Sequence, residues 1–216
     1  MYMDKRFAVI VVGVVAAIFS IFYFSGNKNS NGGSSTRSTT AVSNHVKGSG
    51  KVQLVEYGDF QCPACGKFYP LVTEILNKYG DKISFTFRHN PLDTIHRNAR
   101  AAHRAAESAG LQGKFFEMYD ELYKNQSSWS DVSNPVPVFE SYATGLGLNL
   151  DKFKTDFASQ VVNDTINADL EEGKTKYKVD STPTFVLNGS VISNSDIGSI
   201  DLFSAKIEAA ISQTAQ

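Results

Sequence analysis

This sequence predicts an α/β domain carried behind one N-terminal transmembrane helix. Three observations support that reading. Phe7 to Phe24 is an uncharged apolar run. From Gly50 onward, strand-like and helix-like patterns succeed one another. A Cys62-Pro63-Ala64-Cys65 motif stands where the first strand of that region gives way to its first helix.

In chain order, residues 1–6 form a cytoplasmic stub and 7–24 the anchor. At ~1.5 Å per helical residue the run reaches ~27 Å, close to the ~30 Å hydrocarbon core. Lys5 and Arg6 precede it, which by the positive-inside tendency leaves the N-terminus in the cytoplasm and the rest outside. Phe22, Tyr23 and Phe24 suit an interfacial aromatic belt. A cleaved signal peptide is the competing reading, but no small-x-small site follows the run, so an uncleaved single-pass anchor is expected. Residues 25–49 are mostly Ser, Gly, Asn and Thr, too polar to offset their ordering entropy, and read as a tether. Its last few residues are compatible with a short strand added to the domain.

Lys51–Tyr57 reads as a buried strand, and a helix follows from near Pro63 to about Tyr79, stopped by Gly80. Ile83–Arg88 alternates as a second strand. A helical block comes next: Asn98–Ala109, Lys114–Lys124, Val136–Thr144, Leu150–Phe157 and Val161–Lys178. Asn188-Gly189 is a type I′ hairpin signal between Thr184–Leu187 and Val191–Ser193, and a helix from about Ile200 to Ile211 closes the chain. Gly145-Leu146-Gly147 is a helix stop, and Trp129 sits in a Ser-rich turn as local packing.

Composition narrows the function. Five of the 21 basic residues but one of the 22 acidic residues precede Gly50, so the body beyond carries a net charge of −5. An acidic body argues against nucleic acid as a partner, since phosphate binding needs a basic face. The two cysteines exclude a disulfide-stapled mini-protein and a four-thiolate metal site.

The pair itself carries the chemistry. The free N–H groups and positive dipole end of a helix stabilise a thiolate at Cys62, bringing it down from ~8.5 toward the range of reactive thiols. Pro63 suits the first helical position, where its missing N–H costs nothing. Cys65 falls on the apolar stripe Cys65, Phe68, Val72, Ile75, Tyr79. One sulfur is exposed and acidic and the other sheltered: a nucleophile and a resolving thiol. Two blander readings compete. A zinc site would need two of the four histidines (His45, His89, His96, His103), which lack the usual H-x₃₋₅-H spacing, so no metal ligand is assigned. A structural disulfide would close only a two-residue loop and constrain the unfolded chain little. His96 and His103, one heptad apart, read as surface or interdomain residues on one helix face.

Glu56 shares a strand face with Val52 and Leu54, an odd place for a carboxylate. Desolvation there raises its pKa and suits it to exchange a proton with Cys65; the alternative is a fraying strand end facing water.

The segment Glu56-Tyr57-Gly58-Asp59-Phe60-Gln61-Cys62-Pro63-Ala64-Cys65 resembles the active-site segment of the DsbA-like branch of the thioredoxin superfamily. Pro70 matches that superfamily's proline five residues after the second cysteine. The segment from Arg88 to Leu92, with His96, Ala99, Ala102 and Ala106, is similar to the start of the family's inserted helical domain. Ser181-Thr182-Pro183-Thr184-Phe185 resembles the stretch that carries its cis-proline.

The resemblance covers roughly residues 50–214. It implies a thioredoxin-like fold over 50–91 and 179–216, interrupted by a helical domain over 92–178. It also implies a cis Thr182-Pro183 bond beside Cys62, leaving the Thr182 backbone free to pair with a substrate strand; from the residues alone a trans proline opening an edge strand is the alternative. Thr182, Pro183, Pro63 and Ala64 are thereby the expected substrate-binding residues, and Cys62, Cys65 and Glu56 the catalytic ones. Where the best-known oxidases carry a histidine between the cysteines, this chain has Pro63-Ala64. Ala64 offers no charge or hydrogen bond, which leaves the potential inside the span from ~−120 mV for strong oxidants to ~−270 mV for thioredoxin.

The function expected is a monomeric, membrane-anchored, extracytoplasmic oxidase acting on cysteine-containing exported proteins. It needs no cofactor and is recycled by a DsbB-like or vitamin-K-epoxide-reductase-like quinone-linked membrane partner. A reductase or isomerase of the same fold, or a non-catalytic chaperone or adaptor, are the alternatives.

Overall fold

The computed structural model describes residues 41–214. The stub, the anchor expected at 7–24 and the tether as far as residue 40 lie outside the described residues. Among the described residues no helix is long and apolar enough to cross a membrane.

Alternation of apolar and polar side chains produces β2 (Val52–Gly58) and β3 (Ile83–His89), which pair in parallel with Leu54 opposite Phe85 and Glu56 opposite Phe87. Parallel neighbours need a crossover, supplied by helix α1 (Pro63–Tyr79). Its apolar stripe faces inward as expected, with Cys65, Val72, Ile75 and Tyr79 buried, and the helix runs on through Pro70. Phe68 is half-buried against Phe185. Strands β4 (Thr184–Leu187) and β5 (Ser190–Ile192) form a hairpin whose turn puts Asn188 and Gly189 at φ 47° and 82°, the left-handed conformations a type I′ turn requires. Asn188 also caps the central strand: its side chain accepts from the Gln53 amide at 2.8 Å.

A fifth strand comes from the segment read as tether. Strand β1 (His45–Lys47) pairs antiparallel with β3, His45 opposite Phe87. The domain therefore begins before residue 50. Gly50 makes that start possible, because a side chain there would collide with the Lys82 backbone at 1.7 Å. The sheet order is β1-β3-β2-β4-β5.

Between β3 and β4 lie α2 (Ala99–Gly110), α3 (Phe115–Lys124), α4 (Gln126–Trp129), α5 (Val136–Gly145), α6 (Leu150–Ala158) and α7 (Gln160–Glu172), which ends in a π-helical turn (Gly173–Tyr177). Helix α8 (Ile200–Thr214) closes the fold. Leu54, Glu56, Phe85, Phe87 and Phe185 share one sheet face by register. That face is covered by α1, by α8 through Phe203, and by α3 through Tyr119. Burial of such aromatic side chains contributes ~1.5–3 kcal/mol each. Trp129 is fully buried, donates to the Leu122 carbonyl and packs edge-on to Phe139: local packing, as read.

Candidate active site

The chain leaves β2 at Gly58 and enters α1 at Pro63, so the residue between loop and helix is Cys62. Its backbone is extended (φ −67°, ψ 123°), its amide donates to the Asp59 carbonyl, and its carbonyl accepts from Gly66, the first link of the helix. Cys62 keeps 7% of its surface and Cys65 none, so both are buried and the sulfur expected to be exposed at Cys62 is the less enclosed of the two. Both are free thiols. Pro63 and Ala64 are exposed on the rim beside Cys62. The Thr182-Pro183 bond is cis and Pro183 is buried. In the same loop the Thr182 carbonyl lies 3.4 Å from Cys62 Sγ.

The two sulfurs are pushed in opposite directions. A hydrogen bond from the Cys65 thiol, set against partial burial, brings Cys62 down to about 5; the Thr182 hydroxyl and the Cys65 and Ala64 amides add to the lowering. That hydroxyl is buried and has no hydrogen-bond partner, which leaves it free to turn toward a thiolate at Cys62. The Thr182 carbonyl works the other way, accepting from Cys62 only while Cys62 is a thiol. Cys65 is pushed well above an ordinary thiol by burial, by its bond to Cys62 and by the negative charge of Glu56; the Asp59 amide, donating to its sulfur at 3.4 Å, is a partial offset.

Glu56 does not face water. It is 1% exposed on the central strand, and burial raises its carboxyl to about 8, with the Tyr119 hydroxyl at 3.4 Å pulling down and Cys62 pushing up. At neutral pH it is a protonated acid near a sheltered sulfur.

Of the two readings of His96 and His103, surface or interdomain, the interdomain one holds, and the two do not share a helix face. His96 lies in the turn before α2, its Nδ1 donating to Asp59 Oδ2 at 2.7 Å, and His103 is wholly buried in α2 with Nε2 3.7 Å from Asp59 Oδ1. Burial works against the Asp59 charge, but His103, His96 and the Leu92 amide outweigh it and hold the carboxyl low. Asp59 also accepts from the Gln61 amide at 2.8 Å, which closes the loop before Cys62. Neither cysteine stands in a cluster of metal-ligating side chains among the described residues.

Sequence reasoning missed three residues that hold this loop. Gln126 donates to the Phe60 and Cys62 carbonyls at 2.7 and 3.0 Å. Gln61 spans the gap between loop and insertion, accepting from the Asn98 amide and donating to the Ser130 carbonyl. Asn98 in turn donates to the carbonyls of Trp129, Ser130 and Val132. Lone Asn and Gln residues carry no spacing signal; only the adjacency of Gln61 to the first cysteine hinted at a role.

A family model described as thioredoxin matches residues 40–208. The chain belongs to the thioredoxin family. Among solved structures it is similar to oxidised BdbD from Bacillus subtilis, with a TM-score of 0.66 and 21% identity over 77% of this chain and 92% of that one. It is also similar to α-DsbA1 from Wolbachia pipientis, at 0.65 and 21% identity over 78% and 90%. DsbA from Xylella fastidiosa gives 0.61 and 19% over 78% and 89%. The fold is thus that of the DsbA-type oxidoreductases. By sequence the chain is 32% identical over 198 residues to Na(+)/H(+) antiporter NhaA 1 of Mycobacterium sp. (strain KMS), a match to 86% of this chain and 31% of that protein. A second antiporter NhaA 1, from Salinispora arenicola (strain CNS-205), is 39% identical over 152 residues, 67% of this chain and 22% of that protein. The chain spans about a third or less of the length of these curated relatives.

Proposed function

We propose that this protein is a thiol:disulfide oxidoreductase that introduces disulfides into exported proteins, anchored in the membrane by residues 7–24. The observation that carries the reading is the division of acidity between Cys62 and Cys65: a reachable sulfur held at about 5 beside a buried one pushed up.

In the reaction the enzyme starts as the Cys62–Cys65 disulfide. A substrate thiolate attacks Cys62 Sγ, forming a mixed disulfide and expelling Cys65. The leaving sulfur is buried and basic, so it takes a proton, and Glu56 is the protonated group on the adjoining strand that supplies it. The second substrate thiolate then attacks the substrate sulfur of the mixed disulfide. Cys62 departs as a thiolate, a good leaving group because it is acidic. Two substrate thiols have become a disulfide and the enzyme disulfide has become a dithiol. Pro63, Ala64, Thr182 and Pro183 form the rim against which the substrate lies. A quinone-linked membrane protein, DsbB-like or vitamin-K-epoxide-reductase-like, takes the electron pair and restores the disulfide.

A thiol at about 5, against ~7 in thioredoxin, favours the reduced form at pH 7 by about 2 kcal/mol, worth roughly 50 mV. This moves the pair above thioredoxin's ~−270 mV, toward the oxidising side. Equilibration of the full chain with glutathione buffers tests it. A potential well above that of thioredoxin, with oxidation of a dithiol peptide abolished in Cys62→Ser, supports the oxidase. A potential at or below that of thioredoxin assigns the protein to the reductases instead. Retention of unfolded-protein binding in Cys62→Ser without any peptide oxidation by the parent chain assigns it to the chaperones.

A further inference from the structure

Three of the chain's four histidines, His45, His89 and His103, are joined with Glu107 in one hydrogen-bonded cluster. There the side chains of His45 in β1, His89 in β3 and Glu107 in α2 converge, their ligand atoms within 4.8 Å of one another. Glu107 Oε2 stands 2.5 Å from His45 Nε2 and 3.0 Å from His89 Nε2. The three residues are 44 and 18 positions apart, which is why no spacing motif announced them.

We propose that this is a binding site for a borderline-soft dication such as Zn²⁺, with the ligand set His45 Nε2, His89 Nε2 and Glu107 carboxylate and with water in the fourth position. The ligands are the right kind, since two imidazoles and one carboxylate suit zinc, whereas calcium and magnesium take oxygen donors. The geometry is close. Ligands at ~2.0–2.2 Å from a tetrahedral ion lie roughly 3.3 Å apart, so each of the two His–Glu pairs opens by less than an ångström. The site is also braced. The His45 ring stacks on Phe115 at 3.5 Å and 6°, and its edge occupies a space that a side chain at Gly110 would block, a Cβ there meeting His45 Cε1 at 2.8 Å. His45 keeps 14% of its side-chain surface, an opening for the ion and its water.

A second observation points the same way. His89 Nδ1 is 2.7 Å from His103 Nδ1, so one of them must carry the hydrogen. If His89 donates to Glu107 through Nε2, a neutral His89 accepts at Nδ1, and a neutral His103 then has a bare Nε2. That atom is wholly buried and has no hydrogen-bond partner, and the nearest group is the Asp59 carboxylate at 3.7 Å, another acceptor. Placing a cation on His89 Nε2 reverses the order. The His89 hydrogen moves to Nδ1 and is donated to His103 Nδ1, and His103 carries its hydrogen on Nε2, directed at Asp59. The ion thus resolves a misfit two residues away, in the arrangement by which outer carboxylates commonly orient metal-bound histidines. Protonation of His89 achieves the same reversal and is the rival occupant.

The site does not depend on the redox reading, and its test excludes the thiols. Tag-free full chain carrying Cys62→Ala and Cys65→Ala is titrated with Co²⁺, which reports tetrahedral N/O coordination through its visible absorption, and is then challenged with Zn²⁺. One Co²⁺ per chain is expected, displaced by Zn²⁺ and accompanied by a rise in melting temperature. His45→Gln, on a partly exposed edge strand that does not depend on the ion to fold, is expected to lose at least ~100-fold in affinity. His103→Gln, which touches no ion, is expected to lose ~10-fold. Absence of saturable one-to-one binding, or equal binding by His45→Gln, overturns the proposal and leaves a proton-held His–Glu–His cluster.

Discussion

The side-chain amide of Gln126 donates to the Cys62 carbonyl oxygen at 3.0 Å, so the helical insertion grips the backbone of the residue that carries the less enclosed sulfur. The same nitrogen donates to Phe60 at 2.7 Å, and Gly66 lies so close beneath that a Cβ would sit 2.7 Å from Gln126 Oε1. The insertion is therefore part of the site and not only a lid beside it.

Gln126→Ala strips both carbonyls of this partner. The Phe60 carbonyl is left unpaired, which costs ~1–3 kcal/mol for a buried acceptor, and the urea midpoint is expected to fall accordingly. The Cys62 carbonyl keeps its bond from Gly66, so the acidity of the sulfur should change little. An unchanged midpoint would show that the grip carries no energy.

Thr182→Val tests the hydroxyl beside Cys62. Valine keeps the shape of the side chain and removes the donor. A hydrogen bond to a charged group contributes ~1.5–3 kcal/mol, so the pH midpoint for alkylation of Cys62 should rise by about one unit or somewhat more. No rise would mean that the hydroxyl does not serve the thiolate.

Glu56→Gln separates stability from activity. The carboxyl titrates at about 8 in the fold against ~4.3 when unfolded, so the folded chain holds the proton more tightly. Stability contributed by this group is present in full below pH ~4 and is lost as pH rises toward 8. Glutamine abolishes that loss. The variant should be more stable than the parent at pH 8 by a few kcal/mol and equal to it near pH 4, as read by urea unfolding. Without the proton donor, peptide oxidation should slow on the order of 100-fold. A variant that is stabilised yet fully active would remove Glu56 from the reaction.

Much of this was legible in the sequence because it is local. Strand alternation, the Asn188-Gly189 turn, and the cysteine before Pro63 each state their own conformation within a few residues. The direction of the Cys62 shift was legible from a helix start, although its largest cause is the Cys65 thiol, and the shelter of Cys65 follows from a stripe of apolar residues at helical spacing. What escaped is non-local and polar. His96 and His103 read as surface or interdomain residues on one helix face because heptad spacing assumes one helix, whereas that helix starts only at Ala99 and the interdomain reading is the one that holds. Both turn toward Asp59, 37 and 44 positions earlier. Strand β1 is left open by the sequence, because three residues at the end of a polar segment have too little periodicity to decide it; it is fixed by Ser43, whose amide and hydroxyl both donate to Asp169.

The most direct test is the thiolate absorbance of the reduced full chain, taken against the oxidised chain, between pH 3 and 9. One thiolate per chain should form with a midpoint near 5 and disappear in Cys62→Ser, and no second should form across the range. A chain that develops no thiolate below pH 8, or whose two sulfurs ionise together, would contradict the division of labour on which the redox reading stands.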